Sequence, residues 1–159
     1  MSKNVVIEGE EILQLVSFKI GDEEFGVDIL RVQEINRMMN LTKVPNAPHF
    51  VDGVINLRGR IIPIVDLRCR LGMERSAHNM NTRIIVVELA KNTVGFVVDE
   101  VSEVLRIPKS ITEPPPSMVA GINSEFISAV GKLEGRLLIL LDIDKIFNLE
   151  EEKVLSAVD

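Results

Sequence analysis

The sequence predicts a mainly β protein built as two related halves, each folding into a small barrel with a short terminal helix, around a shared apolar seam. Three observations carry that reading. The apolar content, 46% of the 159 residues, is aliphatic and rich in Val and Ile, with aromatics at only 4%, a composition that suits strands. Short alternating runs are separated by Gly and Asp turns. A gapless repeat then aligns FVDGVINLRGRIIPIVDLRCRLG, Phe50 to Gly72, with FISAVGKLEGRLLILLDIDKIFN, Phe126 to Asn148.

Residues 1–12 are polar and acidic without period and read as a flexible arm; 13–150 is the folded unit, and 151–159 a tail. Val16, Phe18 and Ile20 alternate with polar neighbours, as do Phe25, Val27 and Ile29 after Gly21-Asp22, which predicts a β-hairpin. Ile29, Val32 and Ile35 recur every three residues, the spacing of a tight helical turn. Pro45 and Pro48 make residues 42–48 a connector, because each proline favours extended geometry before it. Gly53–Leu57 and Arg60–Val65 flank Arg58-Gly59, a second hairpin with Arg58 at its tip and Gly59 able to supply a positive φ. Pro63 cannot donate to a ladder, so its strand is expected at an edge or with that nitrogen turned out of the sheet. Asp66 is the expected N-cap of a short helix over 67–71 that Gly72 ends. Asp142 repeats the cap in the second half, and residues 111–117 form a stiff proline-rich loop.

A looser match joins Phe25–Ile35 to Val94–Val104, so the halves run roughly 13–80 and 81–150. Halves of that size are marginal alone, and the two are expected to fold as one unit.

The net charge of −6 and the lack of Trp and Tyr argue against a nucleic-acid binder, which needs a basic face and stacking platforms. The cluster Arg58, Arg60, Arg68 and Arg70 is the only support for that alternative. No apolar run approaches the ~20 residues of a membrane span, and the acidic start is unlike a signal peptide, so a cytoplasmic protein is expected. The single Cys69 rules out an internal disulfide and is expected to be buried and inert. With two His, it makes a metal site implausible. His49 and His78 are the candidate bases, and neither lies in a catalytic motif. No enzyme, cofactor or metal is expected.

Surface geometry remains. A residue required by the shared fold should recur in both halves. Glu34 matches Glu103, which favours a structural role such as an ion pair with Arg31. Arg58 matches Glu134, so the fold does not require Arg58, and an exposed Arg on a rigid tip suits a specific contact.

Phe50–Arg68 closely resembles the signature of CheW-like domains, and three further stretches agree in order: LVSFKIGDEEFGVDILRVQEI, NTRIIVVELAKNTVGFVVDEVSEVL and EFISAVGKLEGRLLILLDIDKIF. The resemblance covers residues 13–148. It implies two SH3-like five-stranded β-barrels on a shared core, and a free-standing adaptor that binds the cytoplasmic tips of methyl-accepting chemotaxis receptors and the CheW-like regulatory domain of the histidine kinase CheA. Carried over by motif, the receptor-binding residues are Val32, Glu34, Arg58, Val101 and Val104, and the kinase-binding residues Val44, Gly53 and Thr82. Gly59, Asp66, Gly72 and Asp142 would serve turns and caps. Ala129 stands where the family pattern leads one to expect Gly, and Arg83 where it leads one to expect an apolar residue. The implied location is cytoplasmic, recruited to receptor arrays at the membrane.

Overall fold

A computed structural model describes residues 10–119 and 121–158. Nine residues of the expected arm, 1–9, lie outside the described residues, and Ile12 already begins a strand. Strands β1 (Ile12–Ile20) and β2 (Glu23–Asp28) form the first hairpin. A single 3-10 turn, Ile29–Arg31, leads into β3 (Val32–Arg37). The second hairpin is β4 (Val51–Leu57) and β5 (Arg60–Asp66), followed by α1 (Leu67–Arg70). The second half supplies β6 (Arg83–Glu88), β7 (Thr93–Val98), β8 (Glu100–Pro108), the two-residue strands β9 (Thr112–Glu113), β10 (Met118–Val119) and β11 (Ile122–Asn123), then β12 (Ile127–Leu133) and β13 (Arg136–Leu141). Residues 149–158, read from the sequence mostly as tail, are helix α2 (Leu149–Val158), with Leu155 fully buried. Asn148 and Glu151 bond reciprocally at its start, a capping box that uses side-chain amide and carboxylate.

The strands make a six-stranded sheet, β8-β1-β2-β13-β12-β9, a five-stranded sheet, β3-β6-β7-β5-β4, and the small β10-β11 pair. The units of the repeat are therefore not the units of the fold. The hairpin β1-β2 of the first half lies inside the six-stranded sheet, and β6-β7 of the second half inside the five-stranded one. Parallel pairing of β2 with β13 and of β5 with β7 joins the halves within each sheet. The expectation that each half closes on itself gives way to an exchange of hairpins, which explains why the two must fold together.

Burial on both faces accounts for the continuous aliphatic runs. In the five-stranded sheet, Ile62, Ile64, Ile84 and Val86 pack into that sheet's own core, while their neighbours Val65, Ile85 and Val87 pack into the core shared with the other sheet. The six-stranded sheet repeats the scheme: Leu15, Leu138 and Leu140 fill its interior, while Val16, Phe18, Ile139 and Leu141 face the seam. Both sheets curl until opposite margins meet. Glu34 of β3 reaches Arg58 at the β4-β5 tip, and Ile107 of β8 lies against Gly131 of β12.

Two local expectations change. Only Ile29–Arg31 is helical. Val32 and Ile35 belong to a strand whose register shifts between Val32 and Glu34, so a β-bulge, not a helix, produces the three-residue spacing. Of the two alternatives for Pro63, the edge is excluded, because its strand lies between β7 and β4. Its ladder with β4 is kept, and the parallel register with β7 begins only at Ile64 opposite Gly95.

Candidate functional site

Four of the expected receptor residues lie on marginal strands of the two sheets, Val32 and Glu34 on β3 and Val101 and Val104 on β8, and Arg58 lies at the β4-β5 tip. β3 is the margin of the five-stranded sheet and β8 that of the six-stranded one. The bulge in β3 sets Val32 opposite Val87 and Ile35 opposite Ile85, both shared-core residues. In β8 the register shift sets Val101 opposite Phe18 and Val104 opposite Val16, again shared-core residues. Val32 and Val101 pack partly against that core, whereas Ile35 and Val104 are 41% and 55% exposed. The matched segments VQEI and VSEV thus do the same thing on both sheets: they carry the seam's apolar surface out to solvent. Ile35, which is not among the residues carried over by motif, matches Val104 in the looser repeat.

Glu34, in contrast, lies opposite Val86 of the sheet's own core and hydrogen-bonds the Arg58 guanidinium. The expected Glu34–Arg31 pair is corrected accordingly. Arg31 instead grips Asp144 with both terminal guanidinium nitrogens, at 3.1 and 2.6 Å, and donates from Nε to the Glu88 carbonyl at 2.9 Å. The strand geometry separates Arg31 and Glu34, which a helix would have stacked. Glu103, the repeat partner of Glu34, faces Arg136 at 3.6 Å, and Arg136 also meets Glu24 at 3.2 Å.

Arg58 has φ +53 and Gly59 φ +86, the pair of left-handed residues of a type I′ hairpin turn, which matches strand twist. Asn56 Oδ1 accepts from the Gly59 N–H at 2.9 Å. The tip that carries Glu134 differs: Gly135 is left-handed at φ +74 but Glu134 is not. The two tips share a position and not a backbone, and Arg58 occupies a conformation in which Asn or Gly would be less strained. Its side chain is 71% exposed.

The expected kinase residues fall on two loops: Val44 lies on the connector that bridges to the bulge at Gly53, and Thr82 closes the turn before β6. Val44 is half-buried on the connector before β4. Gly53 is buried at the β4 bulge, where Thr42 bridges to Val54. Thr82 is buried, and its Oγ1 accepts from the Asn79 N–H at 2.9 Å. Gly53 shapes the backbone at the Thr42 bridge and Thr82 that of the turn 79–82, and neither offers a side chain to solvent. Arg83, half-buried, donates to the Met80 and Thr82 carbonyls, and Ala129 packs beside the six-stranded sheet's own core. Asp66 caps α1 through Cys69 N and also bonds Arg75; Gly72, at φ +84, comes just after that helix; Asp142 caps the turn Ile143–Lys145.

Two carboxylates are held below the usual range. At Asp99, burial alone would push the carboxyl up, but the Arg68 guanidinium and the Gly21 N–H outweigh it. At Asp144, the Arg31 hydrogen bonds outweigh burial.

The arginines that alone suggested nucleic acid are engaged within the protein. Arg58 bonds Glu34, Arg60 bonds Thr93, Arg68 bonds Asp99, and Arg70 bonds Glu151 and the Ile146 carbonyl while lying over the rings of Phe50, Phe126 and Phe147. Among the described residues no hydrogen bond joins the imidazole of His49 or His78 to a nucleophile, and no cluster of three metal-ligating side chains occurs. Cys69, expected buried, is half-buried, with Sγ 3.8 Å from the His49 carbonyl.

Residues 14–151 match the family model of the CheW-like domain. The chemotaxis protein CheW of Klebsiella aerogenes is 39% identical over 150 residues, covering 94% of this chain and 89% of that protein. That of Thermotoga maritima is 37% identical over 148 residues, covering 91% and 93%. The crystal structure of the scaffolding protein TtCheW from Thermoanaerobacter tengcongensis superposes with a TM-score of 0.82 at 33% identity, covering 89% of this chain and 96% of that one.

Proposed function

Because this chain belongs to the CheW-like domain family, we propose that it is a non-enzymatic adaptor of bacterial chemotaxis, coupling methyl-accepting chemotaxis receptors to the histidine kinase CheA. An adaptor needs two faces that can be occupied together. For the receptor tip we assign Val32, Glu34, Arg58, Val101 and Val104, and add Ile35. An amphipathic helical tip suits sheet margins on which core-facing valines continue into exposed aliphatic ones, with a guanidinium nearby for a carboxylate or carbonyl. For the kinase regulatory domain we assign the loop carrying Val44, whose path the bulge at Gly53 sets, together with the turn that Thr82 closes before β6. The protein would work in the cytoplasm, recruited to receptor arrays; among the described residues no helix is long and apolar enough to cross a membrane.

The observation that carries the receptor assignment is Arg58. An exposed arginine, oriented by Glu34, occupies at φ +53 a turn position where Asn or Gly would be less strained, and such strain gathers at functional sites. The test is a pair of titrations of folded Arg58→Ala, with a receptor tip fragment and with the kinase regulatory domain. Receptor affinity should fall by about 1 to 3 kcal/mol, with kinase affinity nearly unchanged. Equal losses towards both partners, or none towards the receptor, would overturn the assignment.

A further inference from the structure

The chain passes between the two sheets only twice. It enters the five-stranded sheet through Ile29–Arg31 and leaves it at Asp99, between β7 and β8. Residues 12–28, the hairpin β1-β2, are therefore docked in one sheet while joined to the other. Within its sheet the hairpin is an insert: β1 pairs with β8 from Ile12 opposite Pro108 to Lys19 opposite Glu100, and β2 pairs with β13. All its ladder partners outside itself lie in residues 100–141.

From this we propose that the hairpin is exchangeable, and that a second copy of this chain can supply it, giving a reciprocally swapped dimer. Such a dimer keeps every ladder of the hairpin and the burial of Phe18, Ile20 and Phe25, because the receiving surface is identical in both copies. Only the connection must change, and it is built to change at little loss. None of Ile29, Leu30 and Arg31 is buried, although Ile29 packs against the shared core, and two bonds hold the turn locally: the Asp28 carboxylate accepts from the Leu30 N–H at 2.9 Å and the Ile29 carbonyl from the Val32 N–H. Beyond it, Arg31 is anchored to Asp144 and Glu88, which confines the hinge to residues 28–30. Leu30 is 87% exposed, a leucine with no packing role in the single chain. With the hinges extended, two copies pass each other at the dimer axis, where Leu30 of each gains an apolar neighbour.

Gln14 and Arg106 face each other across β1 and β8 and are both exposed, so they can report which chain supplies the hairpin. The full chain carrying Gln14→Cys, Arg106→Cys and Cys69→Ser would be refolded from urea at low and high concentration, fractionated by gel filtration, oxidised, and run on denaturing gels without reductant. Single-chain fractions should give internal bridges, and dimer fractions covalent pairs. Leu30→Pro removes the capping N–H and drives Ile29 to extended geometry, so it should raise the dimer fraction about tenfold or more. Deleting Leu30 should act likewise if the proline variant does not fold, and inserting Gly-Ser-Gly after Leu30 should abolish the dimer. A dimer bridged only within chains, or folded hinge variants that stay monomeric at every concentration, would overturn the proposal.

Discussion

Replacing Gly53 by Ala tests how the kinase-side loop is built. Gly53 has φ +152 at the bulge of β4, and a Cβ there would stand 2.6 Å from the Thr42 carbonyl oxygen and 3.2 Å from Leu41 Cβ. The nearest obstacle is backbone, so no rotamer change relieves it. Thr42 must move away, which breaks its two bonds to Val54, of 3.0 and 2.8 Å. At about 1 kcal/mol per lost hydrogen bond and about 1 to 2 kcal/mol for a non-glycine residue in that region, the loss should be about 3 to 4 kcal/mol. For a chain of this size that lowers the melting temperature by roughly 10 °C. Urea unfolding followed by circular dichroism gives the free energy. The repeat supplies a control, since Ala129 occupies the corresponding position at the second bulge with no left-handed φ; Ala129→Gly should cost at most about 1 kcal/mol. In folded Gly53→Ala the displaced loop carries Val44, so kinase-domain affinity should fall further than receptor affinity. Stability within about 0.5 kcal/mol of the parent would refute the reasoning, because the contact would then be relieved without loss of the Thr42 bridge.

Arg58→Asn should raise stability by about 0.5 kcal/mol, because Asn tolerates φ +53 better than Arg, while weakening receptor-tip binding; a stability gain with full binding would separate the strain from the function. Glu34→Ala should cost no more than about 1 kcal/mol, since it removes one partly exposed ion pair; a far larger drop in urea midpoint would give Glu34 a structural role. Asp144 and Asp99 have depressed carboxyl pKa values in the folded state, so their contribution is complete above the ordinary aspartate value of about 3.9 and is lost as pH falls through the folded values below it. Urea midpoints should therefore drop on acidification from pH 5 to 2, and Asp144→Asn should show a shallower drop than the parent; parallel curves would sink the linkage.

The elements were largely legible in the sequence because they are set locally: Gly59 supplies a left-handed turn residue between two apolar runs, Asp66 and Asp142 cap the helical turns directly after them, and alternating Val and Ile make strands. The exchange of hairpins was not legible. The repeat says that Phe25 and Val94 are equivalent, but nothing local says that β2 pairs with β13 and not with β5. The β3 segment was misread for a related reason. Ile29, Val32 and Ile35 fit a helical period, and only pairing with β6 reveals that the bulge supplies the third residue. Among the residues proposed for the receptor surface, Val32 and Val101 were assigned by motif, whereas the Arg58–Glu34 bond depends on curling of the sheet, which no spacing records.

The two crossings between sheets show why the repeat diverged where it did. In the gapless alignment Arg68 corresponds to Asp144, and each reaches a crossing: Arg68 binds Asp99 beside β8, and Asp144 binds Arg31 beside β3. In the looser alignment Arg31 corresponds to Glu100, the neighbour of Asp99. The same clamp is thus built twice with its charges reversed. Had the halves stayed identical, one half paired with a copy of itself would be equally satisfied. With the signs reversed, first half on first half sets Arg68 near Arg31, and second half on second half sets Asp144 near Asp99, like charges in each case. Each pair is partly exposed and so contributes modestly, but both favour the same partner. The halves are complementary to each other and not to themselves, which leaves the hairpin of the first half one compatible slot, beside β8 and β13 of a second half.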